Sequence, residues 1–334
     1  MLTWNVWDGT ANAWDALLLG LPDYCVYQCF GWGEFKRGSG WEPWRLAANV
    51  DGQTVAMAQV LVRRFPLGVT LAWLAGGPVG SAEVWATSFT PALKTALSSR
   101  HLYCRINSMS SQVELTVQRL LSAGWCRPAS PLLSGKSVMI DLVLPEEEWL
   151  ASLDSKHRYY VKKSSASSIR WVDDGSKQSY EDFALLTRQL REDKSAALKE
   201  TDIEMLDGMR RFLPGSVHIL VGYIDDQPIT GCLTLILGEK AHYAIASTVG
   251  EGRRVSAAYS MVSRLRGLLR ARGVKYLDFG GVNPDVIGAR GVDHFKKGFA
   301  SEKVLYLAEW EWATTSLLRK AASYLIKRRA RAMS

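Results

Sequence analysis

The chain has 334 residues, enough for two compact units of roughly 150 residues each and too many for a lone small binding module. Hydrophobic residues make up 47% and charged residues 22%, which excludes intrinsic disorder and leaves enough apolar side chains for real cores. Lys and Arg number 41 against 33 Asp and Glu, a formal +8, which favours an anionic partner such as nucleic acid, a phosphorylated ligand or an anionic bilayer without choosing among them.

In chain order, the N-terminal stretch has no basic residues ahead of its short Leu17-Leu18-Leu19 run and does not read as a signal peptide. No window reaches 18 uninterrupted apolar residues, so no membrane span is expected, and the odd, scattered cysteines fit a reducing, cytoplasmic location. Trp44 to Val50, Thr54 to Val62 and Val69 to Leu74 read as strands separated by Asp51-Gly52 and Pro66-Leu67-Gly68 turns. A helix over Ser81 to Ser98, a strand over Tyr103 to Ile106, a helix over Ser111 to Ala123 closed by Gly124, and a strand over Ser137 to Leu144 follow. Pro145-Glu146-Glu147-Glu148 marks a junction.

The second series repeats the first. It runs as a strand over Ser168 to Val172, helices over Tyr180 to Asp193 and Ile203 to Phe212, three strands between His218 and Thr248, then a helix over Ala257 to Arg272. Asp-containing turns occupy corresponding places, Val50-Asp51-Gly52-Gln53 and Ile224-Asp225-Asp226-Gln227, so the chain reads as an internal duplication of an α/β unit with a mixed sheet. Residues 1–148 form the first domain, 149–316 the second, and 317–334 a basic amphipathic helix. That helix reads either as a surface element or as a contact for RNA or anionic lipid.

Common catalytic signatures are missing: the sequence contains no GxSxG, GxxxxGK[ST] or HExxH, and no GxGxxG follows a strand. The five cysteines are scattered without a CxxC pair and the five histidines have no paired spacing, so neither a disulfide framework nor a metal site is expected. Thirteen Trp suit sugar stacking or a lipid interface, although most are expected in cores.

The most informative segment is Lys275-Tyr276-Leu277-Asp278-Phe279-Gly280-Gly281-Val282-Asn283-Pro284, a strand ending in paired glycines and an Asn-Pro turn. Downstream lies Phe295-Lys296-Lys297-Gly298-Phe299, with Gly288 and Gly291 between. A lysine beside a glycine-rich loop is suited to neutralise charge on an acyl oxygen or a phosphate, and these lysines read equally as solvated surface residues.

These two segments resemble the signature of the Fem family, the aminoacyl-tRNA-dependent transferases that build peptidoglycan interpeptide bridges. Three further segments agree in order: Gln28-Cys29-Phe30-Gly31-Trp32-Gly33-Glu34-Phe35-Lys36 with Gly40-Trp41-Glu42-Pro43, the Gly76-Gly77-Pro78 turn, and the Arg158-Tyr159-Tyr160-Val161-Lys162-Lys163 box. The resemblance covers nearly the whole chain and implies two tandem GNAT-like (acyl-CoA N-acyltransferase-like) domains of α/β class, mixed sheets flanked by helices. It implies transfer of an amino acid from charged tRNA to an amine of a phosphate-bearing peptidoglycan precursor, with no cofactor, by a protein expected to be monomeric and to work at or near the inner membrane face. It makes the first domain the acceptor side and the second the aminoacyl donor side.

Carried over residue by residue, the resemblance makes Lys296 the oxyanion-stabilising group with Phe295 beside it, and Lys36 a phosphate contact with Trp32 in the same box. Asp278 is either a proton acceptor or the holder of the turn. Arg158, Lys162, Lys163, Arg253, Arg254, Gly280, Gly281 and Lys297 fall on the donor or tRNA side, and Arg105, Asn107 and Lys199 on the acceptor side. Departures leave the acceptor open: Thr201 and Met205 stand where members using a soluble nucleotide precursor have an arginine and a tyrosine, and Asn107 replaces an acidic residue. The donor is open too. An ordinary GNAT enzyme grips the CoA pyrophosphate with a [Q/R]xxGx[G/A] turn at a helix N-terminus, and here Arg253-Arg254-Val255-Ser256-Ala257-Ala258 places Ser256 at the central glycine. The arginines at 253, 254, 264, 266, 270 and 272 form either an RNA-following track or a solvated helix face.

Overall fold

The computed structural model describes residues 1–194, 201–283, 290–299 and 302–332. The chain opens with β1 (Leu2–Val6), α1 (Ala11–Leu19) and α2 (Phe30–Arg37), followed by β2 (Glu42–Val50), β3 (Gln53–Phe65), β4 (Val69–Gly76) and β5 (Val79–Gly80). Next come α3 (Ala82–Leu97), β6 (His101–Ser111), α4 (Glu114–Ser122), β7 (Lys136–Asp141), α5 (Glu146–Ser152), α6 (Ser155–Ser165), β8 (Arg170–Val172), α7 (Lys177–Lys194) and α8 (Ile203–Phe212). The chain continues through β9 (Val217–Ile224), β10 (Gln227–Leu237), β11 (Lys240–Thr248), α9 (Gly250–Arg254), α10 (Ala257–Ala271), β12 (Tyr276–Gly281) and α11 (Arg290–Phe299), and ends in β13 (Glu302–Ala313) and α12 (Ser316–Ala332).

Two compact units result. The first joins Met1–Gly135 to the chain from Leu305 onward, and the second is Lys136–Val304. The division therefore falls ten or so residues ahead of the Pro145-Glu146 junction, because β7 already pairs with β12 of the second unit. Most of β13, expected with the second domain, pairs with β6 of the first.

Within the first unit the strand order is β1-β2-β3-β4-β6-β13, with β5 on β3; within the second it is β7-β12-β11-β10-β9-β8. The duplication read from the sequence is realised strand for strand. The β2/β3 and β9/β10 pairs are antiparallel hairpins, β3/β4 and β10/β11 are antiparallel, and β4/β6 and β11/β12 are parallel pairs bridged by α3 and α10. The two hairpin turns share one backbone conformation: Asp51 and Gly52 have φ of 49° and 84°, Asp225 and Asp226 of 48° and 58°. Positive φ at both central residues matches strand twist, and Asp and Gly are among the residues that tolerate it.

Each sheet carries its crossover helix on an apolar stripe. On α3 the buried residues Trp85, Ala86, Phe89, Leu93 and Leu97 share one face and pack on Leu74, Leu102 and Ile106. On α10 Met261, Val262, Leu265 and Leu269 do the same against Leu277, Phe279 and Phe299. One difference separates the units. The parallel β4/β6 pair is zipped over eight positions, from Val69↔His101 to Gly76↔Ser108. The β11/β12 pair holds for only three, Lys240↔Tyr276 to His242↔Asp278, and then the strands part.

Candidate active site

The parting of β11 and β12 leaves a cavity of about 390 Å³ in the second unit. One side is Tyr243, Ala246, Ser247 and Thr248 of β11, and the other is Val292, Phe295 and Lys296 of α11. Gly252, Arg253, Ser256, Ala258 and Tyr259, from the end of α9 and the start of α10, close a third side. Elements far apart in sequence, α9 and α11, thus bring Arg253, Phe295 and Lys296 to one cavity.

Lys296 is half-buried, and its Nζ donates to the Gly281 carbonyl at 3.0 Å. Gly280 has φ of 90°, and a Cβ there would sit 3.0 Å from that Nζ, so this glycine serves both the turn and the approach of the ammonium. Burial pulls the Lys296 pKa below its ordinary value, with the Asp278 and Asp293 charges opposing. A desolvated ammonium facing a cavity is a strong electrostatic partner for developing negative charge.

Asp278 is buried within β12, at the last position paired with β11. Its Oδ1 accepts from the Ser137 hydroxyl and from the Gly280 N–H at 2.9 Å, and His242 Nδ1 lies 3.5 Å from Oδ2. Burial works against its charge, yet His242, the Ser137 hydroxyl and the Gly280 N–H outweigh it and hold the carboxyl at about 2. A carboxylate so strongly held is a poor proton acceptor at neutral pH, so of the two roles open in the sequence this geometry favours holding the turn. A carboxyl depressed from 3.8 adds stability above its unfolded pKa and loses it as pH falls through the folded value. Asp278→Asn is therefore expected to lower stability by about 2 kcal/mol at neutral pH and to flatten the acid slope between roughly pH 4 and 2, as read from urea unfolding across pH.

Behind the site stands a residue that sequence reasoning passed over. His157 on α6 is fully buried. Its Nε2 lies 3.1 Å from the Phe295 carbonyl oxygen and its Nδ1 3.0 Å from the carboxylate of Asp154, whose side chain also caps α6 by accepting from the His157 N–H at 2.7 Å. The ring is packed by Tyr259 and Phe299 at 5.4 and 5.0 Å. Gly298, one turn from Phe295, has no side chain where the imidazole lies, and a Cβ there would run into the ring. Phe295 in turn meets Tyr259 and Phe299 edge-on at 5.0 and 5.1 Å. His157 thus fixes α11, and with it Lys296, against the sheet.

The remaining expected donor-side residues are distributed. Lys162 and Lys163 are exposed on α6, Arg158 is half-buried and donates to the Leu153 carbonyl, and Lys297 is exposed. Arg253 donates to the Thr248 carbonyl and pairs with Asp193 at 3.0 Å, while Arg254 pairs with Glu251 outside the cavity lining. Arg266 does not belong to an RNA-facing track: it is fully buried, paired with Glu146 at 3.0 Å and set over Trp149. Ser256, at the central glycine position of the CoA-type turn, adopts the left-handed conformation that glycine takes without strain, φ of 59°, directly before α10.

In the first unit, Lys36 sits near the end of α2 with its Nζ 4.6 Å from the rings of both Trp32 and Phe35, which are themselves buried. Arg105 is corrected: at 1% exposure its guanidinium donates to Glu309 and to the Ser130 carbonyl, so it braces β6 against β13 and is closed to a ligand. Asn107 is half-buried on β6, and Lys199, Pro284 and Gly288 lie outside the described residues. The buried thiols of Cys25, Cys29 and Cys232 are pushed up to about 12 by burial, which removes them as nucleophiles.

Residues 156–297, the span holding the cavity, match the acetyltransferase (GNAT) domain family. No curated protein matches the chain by sequence. Among solved structures, FemX superposes with a TM-score of 0.83 at 16% identity, covering 96% of this chain and 100% of its own. The C-terminal domain of a putative lysylphosphatidylglycerol synthetase from Agrobacterium fabrum has a TM-score of 0.57 at 10% identity, covering 94% and 95%. A tandem GNAT protein from the clavulanic acid biosynthesis pathway has 0.56 at 10%, covering 94% and 99%. The chain is Fem-like in fold, a tandem GNAT architecture with a GNAT acetyltransferase-type domain over residues 156–297.

Proposed function

We propose that the protein is an aminoacyltransferase that takes an aminoacyl group from charged tRNA and joins it to an amine of a phosphate-bearing peptidoglycan precursor. The observation that carries this reading is the opening between β11 and β12, with Lys296 and Phe295 on its wall, set against the zipped β4/β6 pair of the first unit. The second unit then holds the donor and the first, through Lys36, the acceptor phosphate. Likeness of fold to FemX and to the lysylphosphatidylglycerol synthetase domain supports an aminoacyl donor.

The chemistry asks for orientation and charge stabilisation, because an aminoacyl ester is already activated. The acceptor amine attacks the ester carbonyl and a C–N bond forms. The Lys296 ammonium stabilises the tetrahedral oxyanion. The ester C–O bond then breaks, and the proton lost by the amine ends on the ribose hydroxyl of the tRNA. Asp278 keeps the Gly280 turn in place, and His157 keeps α11 in place.

One arrangement favours a second reading, acyl-CoA as donor: the Ser256 turn and the N-terminus of α10 line the same cavity beside Arg253, where a pyrophosphate would meet the positive end of the helix. Transfer of radiolabelled amino acids from a charged-tRNA pool to lipid-linked and nucleotide-linked muropeptides, with and without ribonuclease and beside an acyl-CoA control, separates the two. Ribonuclease-sensitive labelling is the expected result, and labelling from acyl-CoA alone would overturn the tRNA reading. In the same assay Lys36→Ala is expected to raise the acceptor KM by about tenfold with kcat nearly unchanged, as a group giving uniform binding should. A fall in kcat at constant KM would remove Lys36 from acceptor binding.

A further inference from the structure

The sequence shows an apolar stripe on the C-terminal helix, and the structure divides that stripe in two. Leu318, Ala322 and Ile326, with Arg319 and Ser323, turn toward the first unit, where Arg319 reaches the Cys126 sulfur and Ser323 donates to Glu311. The Thr315 hydroxyl accepts from the Leu318 N–H and starts the helix in this orientation. The packing face of α12 is therefore accounted for.

The opposite face is exposed and carries large apolar side chains among its basic ones. Leu317, Tyr324 and Leu325 are 76%, 64% and 61% exposed, and with Ala321 they follow the four- and three-residue steps of one helix face. Lys320, Lys327 and Arg328 are exposed on the same side. From Leu317 to Arg328 the face is about 16 Å long. No Asp or Glu occurs between Trp312 and Ser334, so the charge of this segment is of one sign.

We propose that this face of α12 docks on an anionic bilayer surface, with Leu317, Tyr324 and Leu325 entering the boundary between headgroups and acyl chains and the basic side chains reaching lipid phosphates. Large aliphatic side chains gain nothing from an RNA backbone but gain from an interfacial apolar layer, where tyrosine also finds both of its preferred environments. Lysine and arginine extend their charged ends to the headgroups while their stems cover apolar surface. The docking is independent of which donor the second unit uses.

The test is co-flotation of the whole protein with vesicles of phosphatidylglycerol and phosphatidylcholine in equal parts, and with phosphatidylcholine alone. The wild type is expected to float with the anionic vesicles and not with the neutral ones. Leu317→Ser/Tyr324→Ser/Leu325→Ser should reduce the bound fraction by about tenfold at low salt, and Lys320→Gln/Lys327→Gln/Arg328→Gln should reduce binding and its salt dependence together. Lys94→Gln/Arg100→Gln, exposed basic residues of the same unit, should leave binding intact. All substituted side chains are exposed, and unchanged thermal melting verifies that each variant is folded. Failure of the wild type to float, equal binding to neutral vesicles, or indifference to the apolar triple variant would overturn the proposal. Retention of tRNA that is lost in the basic variant, without vesicle binding, would assign the face to RNA instead.

Discussion

Lys296→Ala is expected to lower turnover in the transfer assay by about 10²-fold or more while leaving the acceptor KM and the melting temperature nearly unchanged. The kinetic part follows from position: the ammonium lines the cavity and is held there by the Gly281 carbonyl rather than by a carboxylate at bonding distance. The stability part follows from sign. A lysine whose pKa is depressed by burial binds its proton less tightly folded than unfolded, so its charge opposes folding at neutral pH, and removing it offsets the lost hydrogen bond. The same depression means that the charged form is lost at a lower pH than the ordinary 10.5, and an alkaline fall in kcat that disappears in Lys296→Arg would trace that limb to this residue. Unchanged turnover in Lys296→Ala would remove the oxyanion role.

The second large effect is structural and has a distinctive cross-term. Gly298→Ala places a methyl group where the buried His157 ring lies, and overpacking of this kind is expected to cost about 3 kcal/mol and to reduce transfer by displacing α11. His157→Ala alone leaves a cavity beside Phe299 and frees the Phe295 carbonyl, and is destabilising too. Together the two should be far from additive. With the ring gone, Gly298→Ala should become neutral or stabilising, since alanine is the better helix former by about 1 kcal/mol. Urea unfolding of the four proteins measures the coupling. Additive losses would mean that the ring and the glycine do not meet.

The paired strands and crossover helices were legible because each carries its own signal: a run such as Ala56 to Val62, buried at every position, reads as a strand wherever it occurs. The Phe295-Lys296 and Gly280-Gly281 segments stood out in the sequence, and the structure brings them together: Lys296 lines the cavity and donates to the Gly281 carbonyl. What could not be read depends on distant partners. β13 buries Glu309 and Glu311 as fully as Trp310 between them, so its alternation of polar and apolar residues does not mark an exposed face; the carboxylates bond Arg105 and the Tyr103 hydroxyl some two hundred positions earlier. Arg105 looked like a ligand contact for the same reason. His157 lay within a basic run, and its partner carbonyl is 138 residues away. One local clue was present: a glycine inside the otherwise helical Phe295-Lys296-Lys297-Gly298-Phe299 segment is unfavourable unless another group comes close.

The strand that completes the first unit's sheet, β13, is supplied by chain that emerges after the whole of the second unit. During synthesis β6 therefore waits beside an open edge, with Arg105 lacking Glu309, until about two hundred further residues have been made. The first half of the gene product cannot reach its native core on its own, and the order of folding runs against the order of translation: the second unit has all its strands first. A chain interrupted between Gly281 and Glu302 has every strand of the second unit and still lacks the last strand of the first, a built-in bias against truncated but active protein.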